Sequence, residues 1–100
     1  MKLNQVRAVI TGGASGLGNA VAQRLIGAGA QVTLIDVNEA AGQAAAKALG
    51  SSARFQTADV TKEDAVGAAM TKAQSDMGGL NVAVNCAGIG WPRRMVNKEG

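Results

Sequence analysis

The sequence predicts an α/β fold: a parallel sheet wound on both faces by helices. Three observations predict it. Short β-branched runs alternate with helical periodicity down the whole chain. The connections between them are short. Each strand-like run ends in a polar or glycine-rich signal. Parallel strands need crossovers, and crossovers of about a helix in length place helices against the sheet. Their near-universal right-handedness leaves the doubly wound arrangement as the favoured topology.

The elements follow in order. "VRAVI" (6–10) is a short apolar run bounded by glycine, the mark of a buried strand. From Gly16 to Ala28, the apolar residues Leu17, Val21, Leu25 and Ala28 recur at helical spacing, and Gly29 stops the pattern. "QVTLIDV" (31–37) is a second strand. Asn38 suits the cap of an alanine-rich helix running to Leu49, with Gly50 as its stop. "ARFQTADV" (53–60) is a third strand. Thr61 and Asp64 form a variant capping box, and Val66, Met70, Ala73 and Met77 then share one helical face, ended by Gly78 and Gly79. "NVAVNCAG" (81–88) is a fourth strand. No repeat, linker or low-complexity tract interrupts the β-α-β-α-β-α-β order.

Bulk properties narrow the function. The chain has 100 residues, 47% hydrophobic and 17% charged, which is ordinary globular composition for one small domain. It has no histidine and no tyrosine, so the usual near-neutral acid–base group is missing. One cysteine, Cys86, excludes an internal disulfide and a cysteine-cluster metal site, so no metal is expected. It suits a reducing, cytoplasmic compartment. No apolar stretch approaches membrane-spanning length, and the start lacks a signal-peptide core. The net charge is +3, but residues 1–90 carry seven basic side chains against six acidic ones. The excess sits in "WPRRMVNKEG" (91–100). A balanced body with a basic end is not a nucleic-acid footprint.

The chemistry concentrates in "TGGASGLG" (11–18). Its glycines lie where a strand gives way to a helix, and the first amides of a helix favour a phosphate. Gly12 permits a tight turn, Gly16 lets a diphosphate approach the backbone, and Gly18 lets the helix pack closely. The absence of a following Gly-Lys-Ser/Thr disfavours a P-loop. Asp36, 18 positions after Gly18, ends the second strand, where a carboxylate can accept both hydroxyls of an adenosine ribose. It would repel a 2′-phosphate, so NAD is favoured over NADP. Bland readings exist for each residue: a ligand-free turn for the glycines, a solvated turn for Asp36, a helix-entry turn for Asp59, and ordinary small-residue packing for Cys86.

"TGGASGLG" (11–18), Asp36, "ADV" (58–60) and "NCAG" (85–88) together resemble the N-terminal part of the short-chain dehydrogenase/reductase family, a Rossmann-like fold. The resemblance covers residues 6–90. The family's usual Asn-Asn-Ala-Gly carries Cys86 at its second position here. The wording "VITGGASGLG", "ADVT" and "NCAGI" is most similar to the type-2 3-hydroxyacyl-CoA dehydrogenase branch, relatives of 17β-hydroxysteroid dehydrogenase type 10. The resemblance implies an NAD-binding portion over 1–90 and, over 91–100, the start of a loop leading toward a substrate region. It implies that Ser15 and the Leu17 backbone contact the phosphate and ribose region, Asp36 the adenosine ribose, and Asp59 and Val60 the adenine. It also implies that Cys86, Ala87 and Gly88 pass under the ribose, while Asn85 ties the sheet together.

The family's catalytic Asn, Ser, Tyr and Lys are not matched in these residues, so no catalytic residue is assigned. The expectation is a truncated N-terminal piece of a longer enzyme, inactive alone. That enzyme would act on a small-molecule substrate such as a 3-hydroxyacyl-CoA or another secondary alcohol, as a homotetramer, with no nucleic-acid or membrane partner. A complete, non-catalytic dinucleotide-binding module and a steroid-directed enzyme of the same fold are the competing readings.

Overall fold

A computed structural model describes residues 5–13, 15–59 and 61–86. Four strands, β1 (Arg7–Thr11), β2 (Gln31–Asp36), β3 (Ala53–Thr57) and β4 (Val82–Asn85), alternate with helices α1 (Gly16–Gly27), α2 (Glu39–Leu49) and α3 (Glu63–Met77). The strands form one sheet in the order β3-β2-β1-β4. All three pairings are parallel, with Arg7 opposite Gln31, Ala8 opposite Val82 and Val32 opposite Ala53 at their starts. This is the doubly wound Rossmann-like sheet expected from the alternation.

Period-two side-chain alternation splits the apolar strand residues between two cores. Ala8, Ile10, Val32 and Leu34 meet Ala22 of α1 and Ala46 of α2 on one face. Val9 and Ile35 meet Val66, Ala69, Met70, Ala73 and Met77 of α3 on the other. Both faces of the central strands β1 and β2 are therefore covered, which is why those strands read as unbroken apolar runs. One polar intrusion stands out. Thr33 is fully buried in mid-β2, and its hydroxyl has no hydrogen-bond partner among the described residues.

The helix ends follow from their sequences. Asn38 caps α2, its side-chain oxygen accepting from the Ala41 amide at 3.0 Å. Gly78 ends α3 in the left-handed region at φ 76°, where a side chain is strained.

Three expectations fail locally. On α1 the buried residues are Gly18 and Ala22, while Leu17 is 64% exposed and Ala28 is exposed. Val21 and Leu25 of the expected stripe do pack against the core, but the fully buried positions are Gly18 and Ala22, because small side chains let the helix approach the sheet. On α3 Thr61 is not the cap. Its hydroxyl is engaged by Asp59, and Lys62 occupies the cap position with no side-chain bond. Acidic Glu63 and Asp64 still complement the positive helix end. The third strand stops at Thr57, so Ala58 and Asp59, predicted to extend it, lie outside it.

Candidate cofactor-binding site

The parallel register brings the carboxyl ends of all four strands to one rim. Thr11 lies opposite Ile35 on one side and Asn85 on the other, and Asp36 lies opposite Thr57. Crevices outside the carboxyl ends of such strands are where ligands bind in open α/β sheets.

The loop leaving β1 is built almost wholly from backbone. Gly12 takes φ 72°, which releases the chain from the strand in a tight turn. The Gly12 and Gly13 amides both donate to the Ile35 carbonyl, at 2.8 and 3.3 Å, anchoring the turn to the end of β2. A Cβ on Gly13 would lie 2.6 Å from the Leu34 Cβ, so the turn rests directly on the sheet. A Cβ on Gly18 would collide with the Gly12 carbonyl oxygen and come within 2.9 Å of the Gly13 Cα. The close packing predicted for Gly18 is thus against the turn, and the contact with the sheet belongs to Gly13.

Ser15 closes the loop. Its hydroxyl donates to the Gly12 carbonyl at 2.6 Å and accepts from the Gly18 amide at 3.1 Å, capping α1. The first intrahelical bond runs from the Asn19 amide to the Ser15 carbonyl at 2.9 Å. The Gly16 and Leu17 amides precede that bond, so the helix itself gives them no acceptor. Gly16 is exposed, and a Cβ there would meet nothing within 4 Å. Beside those two amides the structure leaves an open approach that a side chain would fill. The backbone present therefore fits a diphosphate.

Asp36 ends β2 half-buried, and its Oδ1 accepts from the Asn38 amide at 3.1 Å. The adjacent Val37 is 64% exposed and uncharged. The Ala58 amide donates to the Asp36 carbonyl at 3.1 Å, holding the end of β3 against it. Asp59 follows. Its Oδ1 accepts from the Thr61 hydroxyl at 2.6 Å and from the Thr61 amide at 2.9 Å. The Thr61 hydroxyl and then its amide hold the Asp59 carboxyl below its ordinary value against the opposing effect of burial, with the Lys62 charge adding a lesser pull in the same downward direction.

At the other side of β1, the Thr11 hydroxyl donates to Asn85 Oδ1 at 2.9 Å, a cross-strand tie between paired residues. Cys86 is half-buried against the α1/α2 core, and its amide donates to the Thr11 carbonyl at 2.9 Å. The structure thus brings Gly12, Ser15, Gly16, Leu17, Gly18, Asp36, Asp59 and Cys86 to one rim. Val60, Ala87, Gly88 and the 91–100 segment lie outside the described residues. Sequence reasoning missed Gly13, whose neighbour Leu34 is remote in sequence, and Thr61 as a partner of Asp59. Only the Asp-x-Thr spacing signals the latter.

The short chain dehydrogenase family profile matches residues 6–99. The chain belongs to that family. Among its relatives, 3-hydroxyacyl-CoA dehydrogenase type-2 of Bos taurus is 55% identical over 82 residues, covering 82% of this chain and 31% of the relative. The Homo sapiens protein of the same name is 50% identical over 94 residues, covering 93% of this chain and 36% of the relative. A 3-beta-hydroxysteroid dehydrogenase of Comamonas testosteroni is 47% identical over 88 residues, covering 88% and 35%. Among solved structures, a 3-ketoacyl-(acyl-carrier-protein) reductase from Brucella melitensis complexed with NADH is similar with a TM-score of 0.77 and 34% identity. That match covers 81% of this chain and 34% of the other. The chain spans about a third of the length of the relatives it matches. No helix among the described residues is long and apolar enough to cross a membrane.

Proposed function

We propose that this short-chain dehydrogenase chain is the cofactor-binding part of an NAD-dependent oxidoreductase. The observation that carries the reading is the open approach at Gly16, beside two helix amides and on the same rim as Asp36. The Gly16 and Leu17 amides would hold the diphosphate. Asp36, oriented by the Asn38 amide, would accept the adenosine ribose hydroxyls. Asp59 and Val60 would contact the adenine. Cys86, Ala87 and Gly88 would pass beneath the ribose. Bound nicotinamide supplies a hydride acceptor or donor at its C4.

NAD is preferred over NADP in this reading. A 2′-phosphate would face the Asp36 carboxylate, and such like-charge juxtaposition costs several kcal/mol. Neither Ser15 nor Val37 offers a compensating cation. The substrate class is a secondary alcohol or its ketone, with a 3-hydroxyacyl-CoA favoured by the names of the bovine and human relatives. A steroid alcohol is the second reading, favoured by the Comamonas relative. The division into a binding portion over 1–90 and a substrate-directed loop from 91, the homotetramer and a cytoplasmic location belong to the same proposal. The 100 residues contain no tyrosine, and we assign them no proton-transfer role.

Cofactor choice provides the test. In the protein at its native length, Asp36→Ala should weaken NAD binding by about tenfold and narrow its preference over NADP, the order of a charge-assisted hydrogen bond lost. Calorimetric titration with both dinucleotides measures this. Equal use of NADP by the unmodified protein refutes the ribose role.

A further inference from the structure

The face of the sheet under α3 carries a polar group that the fold leaves unsatisfied. Thr33 lies opposite Val9 of β1 and two residues before Ile35, so it shares with them the face that α3 covers. The buried polar side chains among the described residues are Thr11 and Thr33. Thr11 is paired with Asn85, whereas the Thr33 hydroxyl has no hydrogen-bond partner. Water would satisfy that hydroxyl in any arrangement that lifts the helix away, so the hydroxyl disfavours the closed one.

The two ends of α3 are held differently. At its C-terminal end, Arg7 Nε donates to the Met77 carbonyl at 3.1 Å. Asn81 holds Arg7 in turn: its Oδ1 accepts from the Arg7 amide at 2.8 Å, and its Nδ2 donates to the Gln5 carbonyl at 2.9 Å. At the N-terminal end, Lys62 gives no side-chain cap, whereas Ser15 and Asn38 cap α1 and α2. The pinned end lies at the amino ends of the strands. The uncapped end lies at the rim, directly after the turn that carries Asp59, where the Lys62 amide donates to the Asp59 carbonyl at 2.9 Å.

We infer that α3 is a lid on the sheet: it opens from its uncapped rim end about the Arg7–Asn81 anchor, and the buried Thr33 hydroxyl biases it toward opening. Opening hydrates that hydroxyl and loosens the side of the rim that holds Asp59. The inference concerns the helix itself and does not depend on which cofactor the rim binds.

Hydrogen exchange of the native-length protein tests it, under conditions where exchange reports the opening equilibrium. In the parent, α3 amides from Val66 to Met70 should be at least about tenfold less protected than those of β1 and β2, which open only with the whole molecule. Thr33→Val replaces the hydroxyl by a methyl group of similar size. It should slow exchange of those α3 amides about tenfold, the scale of one unpaired buried hydroxyl. The β1 and β2 amides should slow by a similar factor, since complete unfolding hydrates the hydroxyl as well, and the gap between the two sets should persist. Thr33→Ser keeps the hydroxyl and should not slow α3. Lys62→Asn supplies a cap and should slow the first turns of α3 about fivefold. Equal protection of α3 and β1 in the parent overturns the proposal. So does α3 exchange that Thr33→Val leaves unchanged, or that Thr33→Ser slows. Unchanged exchange in Lys62→Asn overturns opening from the rim end.

Discussion

The two ends of α1 carry glycines with the same local freedom and different surroundings. Neither Gly16 nor Gly27 has a positive φ, and a Cβ on either would meet nothing within 4 Å. Nothing in the fold of the described residues requires glycine at either position. What differs is the neighbourhood. Gly16 stands at the strand-end rim beside helix amides with no intrahelical acceptor, on the same side as Asp36 and Asp59. Gly27 closes the last turn, where α1 exposes carbonyls, an environment that repels an anion. Open space at a glycine is therefore uninformative by itself. It points to a ligand only where the surrounding groups want one. Two other glycines make the contrast sharper, because there the missing side chain is explained by protein alone: Gly18 against the Gly12 carbonyl, and Gly42 of α2 against the Phe55 ring.

The largest expected effect on folding is at Gly18. Gly18→Ala must push apart two backbone segments, since its Cβ meets the Gly12–Gly13 turn and not the end of a flexible side chain. The turn is tied to Ile35 by two hydrogen bonds and cannot retreat freely. A loss of about 3 kcal/mol is expected, at the upper end for overpacking, read by urea denaturation of the native-length protein. A change below about 1 kcal/mol would show that the turn yields, and that Gly18 resembles Gly16 more than the structure indicates.

Gly42→Ala should cost less, about 2 kcal/mol, because the opposing group is the half-buried Phe55 ring and alanine returns some helix propensity. The paired variant Gly42→Ala with Phe55→Leu should recover a substantial part of that loss. A double-mutant cycle with no coupling would contradict the ring contact.

How far the sequence disclosed these sites depends on where the relevant partner lies. The element order was legible because β-branched runs bounded by glycine are local signals, and the rim followed from the parallel alternation. Gly12, Gly16, Gly18 and Asp36 stood out by spacing. The partners of Gly13 and Gly42 did not, since Leu34 and Phe55 are 21 and 13 positions away and only the fold brings them together. The inward face of α1 was legible only in part: Val21 and Leu25 pack against the core as their spacing suggests, whereas Leu17 and Ala28 match the apolar period while the close approach selects Gly18 and Ala22. Thr61 was misassigned because two competing partners of similar sequence distance, the α3 amides that a cap would accept from and the Asp59 carboxylate that its hydroxyl donates to, cannot be ranked without geometry.

The smallest change in stability should come from the pair that opened the comparison. Gly16→Ala and Gly27→Ala both place a methyl group in open space at helical backbone angles, so neither introduces strain. Each should leave stability within about 0.5 kcal/mol or raise it slightly, by restricting the unfolded chain. Their effects on cofactor affinity should diverge. The Gly16 methyl enters the approach to the Gly16 and Leu17 amides, while the Gly27 methyl lies at the opposite end of a 12-residue helix, about 16 Å away by the 1.5 Å rise per residue. NAD affinity should fall at least about tenfold in Gly16→Ala, stay at the parental value in Gly27→Ala, and vanish in the bulkier Gly16→Val, a loss that begins at about 1.4 kcal/mol. Thermal denaturation with and without NAD reads both quantities in one experiment. A Gly16→Ala variant as stabilised by NAD as Gly27→Ala would remove the phosphate role from this glycine and leave the two ends of α1 equivalent.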